Sequence, residues 1–176
     1  MTAVFLGGSR AVSRLNEMIR EQLDNLISKN CSILVGDANG ADKALQTYLA
    51  QKHYSNVTVF SMGSPRNNVG QWENRRVSSE RKTRDAEYFA IKDRAMAQEA
   101  RCGLMLWDGV SKGTLNNVCE LINSGKPTLL YFSPEKKFYK VSQPVDLQPL
   151  LPRCDQRALD VIKKRLQPEQ INLHTT

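Results

Sequence analysis

The sequence predicts an α/β fold: an open parallel sheet of about five strands in the order 3-2-1-4-5, with helices on both faces. Short apolar runs alternate with helical patterns, the runs are apolar at almost every position, and three of them are followed by glycine-containing loops. Strands covered by helices on both faces need apolar side chains on both sides. Regular alternation of strand and helix favours parallel strands joined by right-handed crossovers.

Five apolar runs of four or five residues are interpreted as strands. They are Thr2–Leu6, Ser32–Val35, Val57–Phe60, Gly103–Trp107 and Thr128–Phe132. Between consecutive runs, apolar residues recur at spacings of three and four, which predicts amphipathic helices. These helices cover about residues 15–27, 41–49, 85–101 and 115–122.

Two segments fall outside this alternation. Ser61–Arg84 is a polar stretch of 24 residues, read as one long loop, and loops of that length are usually functional or disordered. Residues 133–176 form a C-terminal extension with a short amphipathic helix, whose apolar face is expected to pack on the domain, a sheet edge or a partner subunit. The predicted organisation is therefore a domain at residues 1–132 and an extension at 133–176.

Composition limits the function classes. The 176 residues suffice for one substantial core, and 25 Lys and Arg against 18 Asp and Glu give a net charge of +7. This charge favours phosphate-bearing partners, although a well-solvated surface is an equal explanation. No apolar run approaches the roughly 20 residues of a membrane span, and the start does not read as a secretory signal. We expect a cytoplasmic protein without a membrane partner.

The sequence gives no indication of a metal site or a cofactor. The four cysteines have neither a CxxC motif nor Cys/His spacing, and two of them directly precede predicted strands, where buried thiols are common. They are Cys31, Cys102, Cys119 and Cys154. No Walker A or G-x-G-x-x-G pattern is present, which disfavours a P-loop NTPase and a standard dinucleotide dehydrogenase.

Three polar, glycine-containing loops, residues 7–10, 36–42 and 108–114, follow the first, second and fourth predicted strands. The carboxyl ends of parallel strands meet at one edge, where ligands bind at the topological switch point. Each loop also opens a helix, whose first N–H groups suit a phosphate. The alternative is that these glycines serve only turn geometry. The candidate ligand-binding residues are Gly8, Ser9, Arg10, Gly36, Asp37, Gly40, Ala41, Asp42, Asp108, Gly109, Ser111, Lys112, Gly113 and Thr114.

The ordered set of three loops resembles the SLOG superfamily over about residues 3–132. The matching stretches are Gly8-Ser9-Arg10, Gly36-Asp37-Ala38-x-Gly40-Ala41-Asp42-x-Ala44 and Trp107-Asp108-Gly109-x-Ser111-x-Gly113-Thr114. The resemblance is greatest to the YspA/YpsA-like branch, related to LONELY GUY phosphoribohydrolases, molybdenum-cofactor carrier proteins and DprA. It implies a Rossmann-like fold that binds nucleotides or their derivatives, with the second and third loops holding phosphate and ribose.

One departure from the family concerns catalysis. Active phosphoribohydrolases carry Pro-Gly-Gly-x-Gly-Thr-x-x-Glu, whose glutamate acts at the ribose. Here Gly-Thr is kept, but Asn116 or Asn117 fills the glutamate position, and an amide cannot provide the negative charge. The carboxylates that could substitute are Asp37, Asp42, Asp93 and Glu120. Their alternative roles are structural: Asp37 in turn chemistry, Asp42 at a helix start, and Asp93 in a salt bridge with Arg10 or Arg94.

The long polar segment carries six cations around Trp72, namely Arg66, Arg75, Arg76, Arg81, Lys82 and Arg84. Cations beside an exposed aromatic ring suit a stacked base and its phosphates, as in a lid that closes on a nucleotide. A flexible basic loop with Trp72 anchored in the core is the alternative. The leading hypothesis is nucleotide binding or sensing. The others are an N-glycosidase that releases a base from a nucleoside monophosphate, and DprA-like binding of single-stranded nucleic acid. Apolar helix faces and the resemblance also suggest a homo-oligomer.

Overall fold

Seven strands form one sheet in the computed structural model, which describes residues 1–166. The strands are β1 (Ala3–Gly8), β2 (Ser32–Val35), β3 (Val57–Ser61), β4 (Glu73–Arg76), β5 (Cys102–Trp107), β6 (Thr128–Phe132) and β7 (Lys137–Val141). Their order is β4-β3-β2-β1-β5-β6-β7, and all pairs are parallel except β6 with β7. The predicted α/β class with a mostly parallel sheet is confirmed, and the five predicted strands occupy the predicted order.

Within residues 1–166, five α-helices cover the two faces of the sheet. They are α1 (Glu17–Ser28), α2 (Ala41–Gln51), α3 (Ala86–Glu99), α4 (Lys112–Asn123) and α5 (Gln156–Arg165). Alternate residues of the central strands pack in two separate core clusters, one with α1 and α2 and the other with α3, α4 and α5. On β1, for example, Leu6 joins the first cluster and Phe5 the second. Burial on both faces explains why the central strands are apolar throughout.

Two strands were missed by the sequence prediction, and both lie at sheet edges. β4 lies inside the segment Ser61–Arg84, so the prediction of one irregular loop there is wrong for these four residues. Its sequence is Glu-Asn-Arg-Arg, and β7 carries Lys137 and Lys140. An edge strand pairs on one side only and keeps much of its surface in solvent, so neither segment shows the continuous apolar pattern of a central strand.

The C-terminal extension continues the same sheet. After β7, a 3-10 segment at Pro144–Arg153 leads to α5, which packs against α4. Ala158, Ile162 and Leu166 of the predicted amphipathic helix are buried in the cluster around α4. Residues 167–176 of the predicted extension lie outside the described residues. Across residues 1–166, none of the helices is both long and apolar enough to cross a membrane.

The strand order changes direction between β1 and β5. From β1 the chain continues to β2 on one side, whereas β5 pairs with β1 on the other. The loops after β1, β2 and β5 begin at the same carboxyl edge, which is where ligands bind in open parallel sheets. The fold therefore brings the three predicted loops to one switch point.

Candidate functional site

A cleft of about 690 Å³, here called the main cleft, opens at the carboxyl edge between β1 and β5. Backbone of Gly7 and Gly8 contributes to its floor, and residues of α3 and α4 line its sides. Nine of the predicted site residues line it: Gly8, Arg10, Asp42, Asp93, Asp108, Ser111, Lys112, Gly113 and Thr114. The structure thus brings residues of all three loops together around one cavity, with a volume within the usual range for a small-molecule site.

Hydrogen bonds of hydroxyl groups connect the loop after β1 to the loop after β5. We call this set of hydrogen bonds the hydroxyl network. The buried Ser9 Oγ donates to Asp108 Oδ1 at 3.1 Å and shares a hydrogen bond of 3.1 Å with Thr114 Oγ1. Asp108 Oδ1 also accepts the backbone N–H of Ser111 at 2.8 Å. Ser111 is the N-cap of α4 and accepts from the N–H of Thr114. Ser9 therefore fixes the start of α4 at the cleft without lining the cleft itself.

Gly8 has a packing role of its own. A Cβ at this position would lie 2.6 Å from the carbonyl oxygen of Leu106 and 2.8 Å from the Cβ of Ala41. Only a residue without a side chain allows β1 to approach β5 and the first turn of α2 so closely. Ala41, which makes this contact, is buried. Gly40 precedes it as the N-cap of α2 and has a φ of +81°. Gly40 and Ala41 thus shape the second loop but do not line the main cleft.

A cluster of five charged side chains, three of them buried, forms the α3 side of the site and is here called the ionic cluster. At its centre is Lys92, which is only 4% exposed. Its Nζ lies 2.8 Å from Asp93 Oδ1 and 4.0 Å from Asp37 Oδ1. The Arg66 guanidinium pairs with Asp37 from the other side, at 2.9 Å. Asp42 completes the cluster, whose members are Asp37, Asp42, Arg66, Lys92 and Asp93.

Gly36 allows this cluster to form against the backbone. A Cβ at residue 36 would lie 2.5 Å from Asp42 Oδ2 and 3.0 Å from Lys92 Nζ. Asp42 Oδ2 also accepts the backbone N–H of Ala38 at 3.1 Å. Gly36 is thus needed at the site because two buried side chains occupy the space beside it, although it contributes no surface to the main cleft.

Burial and charge set the protonation of the cluster. Burial raises the pKa of Asp42 to about 7. The attraction of Lys92 opposes this rise, and the repulsion of Asp93 and Asp37 adds to it. Burial alone would lower the pKa of Lys92, but the surrounding carboxylates outweigh it and raise that pKa. Burial would raise the pKa of Asp37, yet hydrogen bonds from Arg66 lower it. Asp42 therefore exchanges its proton near neutral pH.

Asp93 lies beside Asn117, one of the two asparagines at the position where the predicted resemblance would put a glutamate. Asn117 Nδ2 donates to Asp93 Oδ2 at 3.2 Å, and both residues line the main cleft together with Asn116. The salt-bridge partner of Asp93 is Lys92, rather than Arg10 or Arg94, and Arg94 pairs with Glu87 instead. A carboxylate is thus present next to the asparagine, supplied by α3 rather than by α4.

Three predicted site residues lie away from the main cleft. Trp72 precedes β4, and its Nε1 donates to the carbonyl of Tyr54 at 2.8 Å while the ring packs on the core under α2. This places Trp72 at the amino end of the sheet, contrary to the expectation that it stacks on a ligand. Glu120 pairs with Arg165 of α5 at 3.6 Å, and Gly109 packs against the ring of Phe132. These three contribute to packing or surface pairing instead.

The segment between β3 and α3 is largely anchored. Gln46, fully buried on α2, donates to the carbonyls of Gly36 and Asn67 and accepts the N–H of Val69. Three of its six predicted cations are ion-paired: Arg66 with Asp37, Arg75 with Glu99, and Arg81 with Asp85. This pairing leaves less free charge for a nucleic-acid backbone and gives the first part of the segment a fixed position.

Sequence reasoning missed two residues that the site depends on. Lys92 lies three residues after Phe89 and four before Met96. This helical spacing, which also singles out Asp93, predicts that Lys92 lies on the buried face of α3, as it does. Arg66 was noted only as one basic residue among six. No sequence signal showed that it pairs with Asp37, since that contact depends on how the long segment folds back.

A second cleft, of about 530 Å³, lies between α2 and the segment before α1. Arg14, Arg20 and Lys43 line it, and Gly40 is the only predicted site residue that does so within residues 1–166. Among the described residues, neither the stretch Gly7–Arg10 nor the loop after β5 lines it. The main cleft is therefore the candidate functional site.

No protein-family model and no curated protein matches this sequence. The resemblance to the SLOG superfamily stays a prediction based on the three loop motifs. The fold and the residues gathered at the main cleft are therefore the basis for any functional proposal.

Proposed function

We propose that this protein binds a nucleotide or a nucleotide-derived phosphate ligand in the main cleft, in a binding or sensing role. The observation that carries the proposal is the meeting of three glycine-containing loops at the switch point, with exposed Arg10 and Lys112 on the rim. Neither cation has an ion-pair partner within residues 1–166. An anion entering the cleft would therefore not have to displace a carboxylate from them.

The start of α4 supplies the rest of a phosphate site. The first N–H groups of a helix have no intrahelical partner and carry partial positive charge, which favours phosphate. Nothing would lie within 4 Å of a Cβ at Gly113, so an anion can approach the backbone here. Ser111 and Thr114 add hydroxyl groups at the same place. We place the phosphate at this end and the sugar towards the ionic cluster, whose acids can accept hydrogen bonds from hydroxyl groups.

Thermal unfolding in the presence of nucleotides tests this proposal. AMP, ADP-ribose, NAD and cyclic nucleotides are added at millimolar concentrations, and at least one should raise the Tm, because a ligand that binds only the folded state stabilises it. Lys112→Gln should reduce that shift by weakening the phosphate contact. Lys164→Gln, which removes an exposed charge from α5, is the matched control and should leave it intact. The proposal fails when none of these nucleotides changes the Tm.

A second candidate, hydrolysis of an N-glycosidic bond, is favoured by the position of Asp93 next to Asn117. In such a reaction water adds to C1′ of the ribose while the bond from C1′ to the base nitrogen breaks, and the base leaves with a proton. The Asp93 side chain, which lines the main cleft, can stabilise the positive charge that develops on the sugar. Asp42, which keeps a proton up to about pH 7, can act as the acid.

Chromatography of nucleoside monophosphates after incubation with the full chain tests for hydrolysis. Release of free base should be lost in Asp93→Asn and Asp42→Asn. Glu120→Gln is the matched control, because this carboxylate lies on the α5 side of α4. Base release that survives both aspartate substitutions would exclude these carboxylates as the catalytic pair. Absence of release from every monophosphate would leave the binding role as the function proposed.

A further inference from the structure

A smaller cleft of about 330 Å³ adjoins the main cleft at the carboxyl end of β3. Arg66 and Phe89 line both clefts, so the two share a wall. The smaller cleft extends to Gly63 and Ser64, directly beyond the β3 strand. The main cleft opens at β1 and β5, and the smaller one therefore lies farther along the same edge of the sheet.

The smaller cleft combines a free cation with aromatic rings. Arg84 is exposed and forms no ion pair among the described residues. Ser64 adds a hydroxyl group, and a Cβ at Gly63 would meet nothing within 4 Å. Tyr88 and Phe89 stand edge to face on α3 and form one side. A guanidinium beside an open backbone suits a second anionic group, since guanidinium groups bind phosphate with paired hydrogen bonds.

Arg66 can bridge the two clefts without giving up its own partner. Its Nε and Nη2 donate to the two carboxylate oxygens of Asp37, and its guanidinium carbon lies 4.7 Å from the centre of the Phe89 ring. Two of the five N–H donors of an arginine are used in this way, which leaves three for a ligand. Asp37 and Phe89 thus hold a cation in place on the wall that the two clefts share.

We infer that the ligand spans both clefts and carries two phosphate-bearing or sugar-bearing halves, as ADP-ribose does, rather than being a mononucleotide. The inference rests on the proposed function, because it takes one phosphate at the start of α4 as given. The second half lies over Arg66, with its distal polar groups at Arg84 and Ser64. A mononucleotide fills the main cleft alone and leaves Arg84 without a partner.

Calorimetric titration of the full chain with AMP and with ADP-ribose tests this inference. ADP-ribose should bind about tenfold more tightly than AMP, and Arg84→Gln should remove most of that difference, because one charged hydrogen bond is commonly worth a factor of this size. AMP affinity should be the same in Arg84→Gln and in the unchanged protein. Arg76→Gln is the matched control, since Arg76 is also exposed but lines neither cleft.

The outcomes separate the two proposals. Equal affinities for AMP and ADP-ribose, with no effect of Arg84→Gln on either, overturn the spanning ligand and leave the proposed function standing. Binding of neither probe overturns the proposed function and the spanning ligand together. A loss of ADP-ribose affinity in Lys112→Gln and in Arg84→Gln, with AMP affinity reduced only in Lys112→Gln, supports both.

Discussion

The two sides of the main cleft hold their polar groups in different ways. On the α4 side, the hydroxyl network joins Ser9, Asp108 and Thr114 through hydroxyl and backbone hydrogen bonds. On the α3 side, the ionic cluster balances three carboxyl groups against Lys92 and Arg66. The first arrangement fixes a helix start by hydrogen-bond geometry. The second holds charges whose balance changes with pH, because Asp42 titrates near pH 7.

Removing Lys92 should have the largest effect. Lys92→Met leaves buried carboxylates without their central cation, and breaking a buried ion pair in this way lowers the free energy of unfolding by about 4 kcal/mol. Urea denaturation at pH 8 and pH 5 measures it. The loss should be greater at pH 8, where Asp42 is ionised. Lys43→Met, on the exposed side of α2, is the control and should stay within about 0.5 kcal/mol of the unchanged protein.

Asp42 should make stability depend on pH. Its pKa is about 7 in the folded protein and about 3.9 in the unfolded chain, so the folded state binds an extra proton between these values. Stability therefore decreases as pH rises through this window, by about 2 kcal/mol between pH 5 and pH 7 for this group. Asp42→Asn should remove that decrease. Identical changes with pH in the two proteins, measured by urea denaturation, would contradict the assignment.

The hydroxyl network should give a smaller effect that does not come from titration. Ser9→Ala removes a buried hydroxyl that joins Asp108 to Thr114, and losing such hydrogen bonds lowers stability by about 1 kcal/mol. The loss should be similar at pH 5 and pH 7. Ser13→Ala, at an exposed position before α1, is the matched control. A strong pH dependence for Ser9→Ala would mean that the two sides of the cleft are coupled rather than independent.

The smallest effect is expected for Glu120. This residue forms a partly exposed ion pair with Arg165, and such pairs contribute less than about 1 kcal/mol. Glu120→Gln should therefore change neither the urea midpoint appreciably nor any nucleotide-induced rise in Tm. A large drop in ligand response with Glu120→Gln would place this carboxylate in the site and contradict its assignment to the surface of α4.

The central sheet could be predicted because its strands are buried on both faces. Phe5 and Leu6 must both be apolar, since they pack in opposite clusters, and the same holds for Leu34 and Val35 on β2. The glycine loops were recognisable for a similar reason, because close approach at Gly8 excludes any side chain. Features that burial imposes on a short stretch of sequence could therefore be predicted.

Contacts made by chain segments distant in sequence could not be predicted. The pairing of Arg66 with Asp37 depends on a segment that returns to the sheet edge through Gln46 and Asn67. Trp72 looked like an exposed ring among cations, but β4 adds to the sheet and carries this ring onto the core beside Tyr54. Polar edge strands lack an apolar pattern, so their position, and that of the residues next to them, appears only in the folded chain.

The charged residues on the two edge strands of the sheet affect how copies of this protein can associate. β4 carries Glu73, Arg75 and Arg76, and β7 carries Lys137 and Lys140. Unpaired N–H and C=O groups at an edge can recruit another chain, and charged side chains oppose this. Two copies joined through β7 would bring lysines together, which disfavours a continuous intermolecular sheet and the aggregation that follows from it. If the expected homo-oligomer forms, its contacts should use helical surfaces, leaving the carboxyl edge and its clefts open to small molecules.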